Sequence, residues 1–125
     1  MKVAIYTALT ATSDDTKELN GHVTTSFTWV KSKRLPKIRL STASQQAIVT
    51  GIEYFESANV TVALVESSLA HLRHEVFTTL GLEYEYELNP HITLCNGNKV
   101  NDYLHLMGRK VLLGNEYVGI YTKED

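Results

Sequence analysis

The sequence predicts an α+β fold in a single domain spanning residues 1–125. Two observations carry that expectation. Apolar segments of strand length follow one another in the order β-β-loop-β-β-α-β-β, and helical spacing of apolar residues is sustained only after Ser67. Strands joined directly by short turns pair antiparallel, whereas a parallel sheet would need a helix between each pair.

Taken in order, Lys2 to Leu9 reads as a strand with Val3, Ile5, Thr7 and Leu9 on one face and Ala4, Tyr6 and Ala8 on the other. A polar turn at Thr12–Asp15 follows it, and His22 to Val30 is the second strand. A basic loop ends at Pro36. Ile48 to Phe55 is a strand, Ser57-Ala58-Asn59 a turn, and Val60 to Val65 a nearly continuous apolar strand that belongs at the centre of a sheet. Ser67 or Ser68 caps a helix carrying Leu69, Leu72, Val76 and Leu80 at helical spacing, and Gly81 closes it. Leu82 to Leu88 reads as a further strand with Glu83, Glu85 and Glu87 outward. Pro90 to Leu94 is another strand, and Asn101 to Met107 makes one or two helical turns. Lys110–Leu113 and Glu116–Thr122 then form a hairpin about Gly114-Asn115, a pair suited to a tight turn.

Two stretches look like copies of one another: Gly21-His22-Val23-Thr24-Thr25-Ser26-Phe27 and Pro90-His91-Ile92-Thr93-Leu94-Cys95-Asn96. In each, a His and a Thr stand at i and i+2 of a strand and share a face, while the aliphatic residue between them faces the core. Two imidazoles and two hydroxyls at one place suit chemistry on a phosphate. One His takes a proton, the other gives one, and the hydroxyls hold the non-bridging oxygens. The same residues also fit a plainer reading, in which both His are ordinary half-exposed strand residues and Thr supplies β-propensity.

Composition is that of a globular protein, 43% apolar and 21% charged. No apolar run approaches the ~20 residues a membrane helix needs, and the N-terminal stretch lacks the long apolar region of a signal peptide. The single Cys95 excludes an internal disulfide and fits a reducing cytoplasm. A net charge of −2 argues against tracking long nucleic acid. Lys31, Lys33, Arg34, Lys37 and Arg39 form either a solvated loop or a positive lip that draws a small anionic ligand.

Other residues invite a role. His71 and His74, with Glu75 beside them, lie three apart on the helix but lack the third ligand a metal needs, so no metal is expected. His105 reads as structural. Cys95 and Ser26, each two residues past a motif Thr, should point with their His toward the site. Tyr6, Trp29, Tyr117 and Tyr121 are candidate platforms for stacked bases, a contact worth ~1–3 kcal/mol each. Trp29 has the opposite parity from His22 and faces away from it unless a bulge intervenes. Glu116 either accepts hydrogen bonds from a base or is a plain hairpin residue.

The segments AIVTGIEYF, NVTVALVES, SLAHLRHEVFTTLG and NPHITLCNG resemble, in order, the strand, strand, helix and Pro-His-aliphatic-Thr-Leu strand of the 2H phosphoesterases, the LigT-like superfamily. GHVTTSF fits that superfamily's first motif strand. The chain departs from the pattern in being short, with no clear amphipathic helix between the first motif and Ile48. The resemblance implies antiparallel sheets in a pseudo-two-fold arrangement around a central cleft, with few helices and no cofactor. It makes His22 and His91 the general acid and base and gives Thr24 and Thr93 the phosphate oxygens. Within the superfamily the chain is most similar to the phage nucleases that defeat CBASS signalling, which implies nucleobase contacts for Tyr6 and Glu116. The function so implied is metal-independent hydrolysis of a cyclic oligonucleotide second messenger in the host bacterial cytoplasm, with no membrane and no obligate protein partner. Two alternatives remain open: a 2′,3′-cyclic phosphodiesterase or 2′,5′-bond enzyme of RNA processing, and a non-catalytic sponge for cyclic nucleotides.

Overall fold

A computed structural model describes residues 1–30, 37–82 and 87–124. Its strands are β1 (Lys2–Thr12), β2 (Gly21–Trp29), β3 (Gln45–Phe55), β4 (Val60–Glu66), β5 (His91–Asn96) and β6 (Lys110–Lys123). The helices are α1 (Ser68–Thr79) and the single turn α2 (Val100–Tyr103), with short 3-10 turns at Lys17–Leu19 and Leu104–Leu106. The expected α+β class is what forms. All six strands join one sheet in the order β2-β1-β6-β3-β4-β5, and each pairing is antiparallel. The two motif strands are therefore the outermost ones, yet they touch. The sheet curls until its ends meet.

One residue shows how closely they meet. A Cβ at Gly21, on β2, would lie 3.2 Å from Ile92 Cγ2 on β5, tighter than ordinary contact. Glycine here serves the approach of the two strands rather than a turn.

The core lies on the helix-bearing face. Leu9 and Ala11 of β1, Val23 of β2, Val49 of β3, Ala63 and Val65 of β4, Ile92 of β5 and Leu113 of β6 pack with Leu69 and Ala70 of α1. Ser67 caps α1, its Oγ accepting from the Ala70 N–H at 3.0 Å. The buried side of α1 is not the expected Leu stripe. Leu72 and Leu80 are exposed, and Leu69, Ala70 and Phe77 are buried. Arg73 and His74 also face the protein, because both find polar partners on the sheet. Phe77 is fully buried, with the Arg73 guanidinium 4.9 Å from its ring centroid.

The expected hairpin at Gly114-Asn115 does not form. β6 is continuous, and β1 pairs with both halves of it, Thr10 opposite Gly114 and Ala8 opposite Tyr117. The extra residue is absorbed as a bulge, with Asn115 in the left-handed region at φ 47°. An Asn that tolerates positive φ serves a bulge as well as a turn, and the long neighbour strand decides which. Residues 83–86 of the expected Leu82–Leu88 strand lie outside the described residues, as do Lys31, Lys33 and Arg34 of the basic loop. Glu87 to Pro90 are not strand. Among the described residues, no helix is long and apolar enough to cross a membrane.

Candidate active site

Because Val23 and Ile92 point into the core, strand alternation turns His22, Thr24, His91 and Thr93 to the opposite face. Both motifs then depart from regular pairing in the same way. On β2, Thr24 pairs with Ala8 and Ser26 with Thr7, so Thr25 is an extra residue. On β5, Thr93 pairs with Val62 and Cys95 with Thr61, so Leu94 is extra. Each His-x-Thr is followed at once by a one-residue bulge.

The bulges reverse the parity of everything beyond them. Ser26 does not point to the site as expected; it is buried with Thr25 and Thr7 in a hydroxyl cluster. Thr7 Oγ1 lies 2.8 Å from Thr25 Oγ1 and 2.6 Å from Ser26 Oγ, and Thr25 Oγ1 donates to the Thr7 carbonyl at 3.2 Å. Cys95 likewise turns away from His91 and hydrogen-bonds Tyr103, which packs against the core and whose own pKa that bond raises. In exchange, Phe27 and Trp29 come round to the face of His22. Trp29 pairs with Ala4 and Phe27 with Tyr6, on the same side as His22 opposite Thr10.

That face carries an aromatic row. The Tyr6 ring centroid is 6.2 Å from His22 and 6.2 Å from Tyr117, and Tyr117 is 6.5 Å from His22. Phe27, Trp29 and Tyr121 form a second group, with centroids 5.3 to 6.1 Å apart. Tyr6 lies over Gly119 of β6, where any Cβ would overlap its ring. Its side chain hydrogen-bonds Tyr117, whose pKa is raised by burial first and by Tyr6 second. On the other motif strand, the Phe55 ring meets His91 edge-on at 4.9 Å.

Both histidines are hard to protonate. Burial lowers the His22 pKa from 6.5, and the charge of His91 lowers it further. Burial also lowers that of His91, partly offset by its hydrogen bond to the Asn89 carbonyl at 2.7 Å. A carbonyl only accepts, so Nδ1 carries the hydrogen. In the neutral ring this leaves the lone pair on Nε2.

Glu116 is placed differently. Its side chain has no exposed surface and lies on the helix side. Arg73 Nη2 is 2.8 Å from Oε1 and Nε is 3.0 Å from Oε2, while the Ser41 N–H donates to Oε1 at 3.0 Å. Both oxygens are engaged within the protein, which corrects the expectation of a carboxylate presented to a base. Glu116 immediately precedes Tyr117 on β6, so strand alternation turns it to the opposite face. His74 is partly buried, and its Nδ1 lies 2.9 Å from the Thr25 carbonyl. Among the described residues, no group of three or more His, Cys, Asp or Glu side chains is arranged to hold a metal ion.

Sequence reasoning did not find Phe27, Phe55, Arg73 or the contact made by Gly21. For Phe27 the sign is local: Thr24-Thr25-Ser26 breaks the apolar alternation that Val23 begins. Arg73 and Glu116 stand 43 positions apart, and nothing in the chain links them before it folds.

A curled antiparallel sheet with a His-x-Thr on each outermost strand defines a small α+β protein with a two-histidine, aromatic-lined face. The chain belongs to the anti-CBASS protein Acb1 family, whose model matches residues 11–121, and so has an anti-CBASS role in evading host signalling. A search of the curated proteins found no match.

Proposed function

We propose that residues 1–125 form one 2H phosphoesterase-like domain that hydrolyses cyclic oligonucleotide messengers by paired-histidine acid–base catalysis. The observation that carries this reading is that the two motif strands, at opposite ends of the sheet order, meet where Gly21 approaches Ile92, the chain neighbours of His22 and His91. The pseudo-two-fold arrangement is supported by the strand order. β1 is flanked by bulged β2 and β6, and β4 by bulged β5 and β3. Membership of an anti-CBASS family favours a cyclic oligonucleotide as the substrate.

In this mechanism one imidazole takes the proton of the attacking oxygen, a ribose 2′-hydroxyl or a water. That oxygen bonds to phosphorus, the bond to the leaving oxygen breaks, and the other imidazole protonates it. His91 is the better base, because its Asn89 bond leaves Nε2 with the lone pair. His22 is the acid, and the bound phosphate restores the proton affinity that burial removes. Thr24 and Thr93 donate to the non-bridging oxygens as charge builds there. Tyr6 and Trp29 stack bases, with Glu116 supporting their face from behind. The two histidines perform both proton transfers, so a chelator should leave the rate unchanged.

The test is chromatography after incubation with a panel of cyclic di- and trinucleotides and of linear RNA with 2′,3′-cyclic ends, with and without EDTA. Linear products from the rings in both conditions are expected. Cleavage of the linear ends alone would replace the reading with an RNA-processing enzyme. Binding without any product would replace it with a sponge, and a metal-restored loss in EDTA would overturn the paired-histidine chemistry.

A further inference from the structure

Three observations meet behind the reactive face. The ladder between β1 and β2 runs past Thr25, which has no opposite residue on β1. Its side chain is fixed by buried Thr7, and its carbonyl is met by His74 Nδ1 from α1 at 2.9 Å. Because the carbonyl can only accept, His74 must be the donor there in either charge state of its ring. On the other side of β1, the neighbouring Arg73 holds Glu116, at the bulge of β6. Consecutive helix residues thus grip a bulge on each flank of β1, from the face opposite His22.

We infer that His74 is a positioning residue of the motif strand: by holding the Thr25 carbonyl it sets the bulge that aims Thr24 and His22 at the reacting phosphate while keeping Phe27 and Trp29 on the same face. A bulge is a local kink whose geometry has no neighbouring ladder bond to enforce it. Without a donor at residue 74, the carbonyl of buried Thr25 must find another partner, and the bulge relaxes toward whichever geometry supplies one. His22 and Thr24 lie on one side of that joint, and the Phe27–Trp29 platform lies on the other. Their relative placement then drifts, and a displacement of about 1 Å at a reacting group costs about 100-fold in rate. His74 itself touches no reacting atom in this scheme.

The inference rests on the hydrolytic reading above, and the experiment separates the two. His74→Leu keeps the bulk and removes the donor, while His74→Asn returns an N–H near the position of Nδ1. With a cyclic oligonucleotide that the wild type cleaves, H74L should lower kcat about 10- to 100-fold. KM should change far less, because the stacking platform remains. H74N should recover most of the loss with an unchanged pH profile, since Nδ1 donates at every pH. Equal impairment of H74N and H74L, or full kcat in H74L, would overturn the inference. Should the wild type cleave nothing, hydrolysis fails as a reading, and NMR of the histidine rings decides the positioning on its own. His22 signals should move in H74L and return in H74N, with those of His91 unmoved. His22 signals that stay in place in H74L would refute it.

Discussion

His22 and His91 carry little of the fold, since their rings stand on the face away from the core. Replacing either with Ala should lower kcat by at least the 10²–10⁴-fold typical of a lost acid or base, with the melting temperature little changed. Paired kinetic and thermal measurements check this. The lowered pKa values of both rings give a second outcome. The free protein holds one His neutral and the other protonated only below about 6.5, so kcat/KM should peak on the acid side of that value. With the phosphate bound, the protonated form gains a partner, and the kcat profile should move upward in pH. Stability has the same origin. The unfolded chain binds these protons more tightly than the folded one, so stability falls as pH drops below about 6.5 and levels off once the folded rings are also protonated. His22→Gln should shallow that loss in urea titrations across pH. The exchange at Thr25 and Leu94 is the main residue-scale surprise. Counting by twos from His22 sends Trp29 the wrong way, because one residue with no opposite on β1 reverses the count.

Strand β2 must come close to β5 for the two motifs to act together, and Gly21 is where they approach. Gly21→Val forces its branched side chain against Ile92 and should push the strands apart. Turnover should then fall about 10-fold or more, as misplacement of a reacting group predicts. Circular dichroism should report the same strand content, which would locate the defect at the approach rather than in folding. Helix α1 acts on the sheet through polar residues as well as its core contacts. Glu116→Ala removes one partner of an enclosed ion pair and leaves the Arg73 charge, itself mostly covered, without it. The expected cost is about 3–5 kcal/mol, read from denaturant midpoints. The sequence showed where α1 begins, because Ser67 is a cap that acts within its own turn. It did not show which side is buried: Leu72 follows the apolar period yet is exposed, while Arg73 and His74 turn inward to partners on β6 and β2.

The whole molecule depends on a sheet whose ends are brought together by curvature, with the core on one face and the two His-x-Thr pairs on the other. Bulges in β2, β3, β5 and β6 supply local bends and extra twist to that curvature. Phe77 anchors α1 beneath the sheet from a fully buried position. Phe77→Ala should destabilise the fold by about 3–5 kcal/mol and reduce activity only as far as it reduces the folded fraction. An activity loss much larger than the measured unfolding would mean that α1 governs the site more strongly than its burial alone explains.

The sequence by itself determined most of the strands, the α+β class and the two His-x-Thr pairs, because strand alternation and capping are set by near neighbours along the chain. It also determined that Val23 and Ile92 face the core while the residues flanking them do not. Tertiary structure alone decided that β6 is one strand rather than a hairpin, that Glu116 belongs to Arg73, that Trp29 shares the face of His22, and that strands at opposite ends of the sheet meet. Each of these depends on what a distant segment offers. A bulge forms only where a partner strand holds register on both sides of it, and an ion pair forms only where folding brings its charges together.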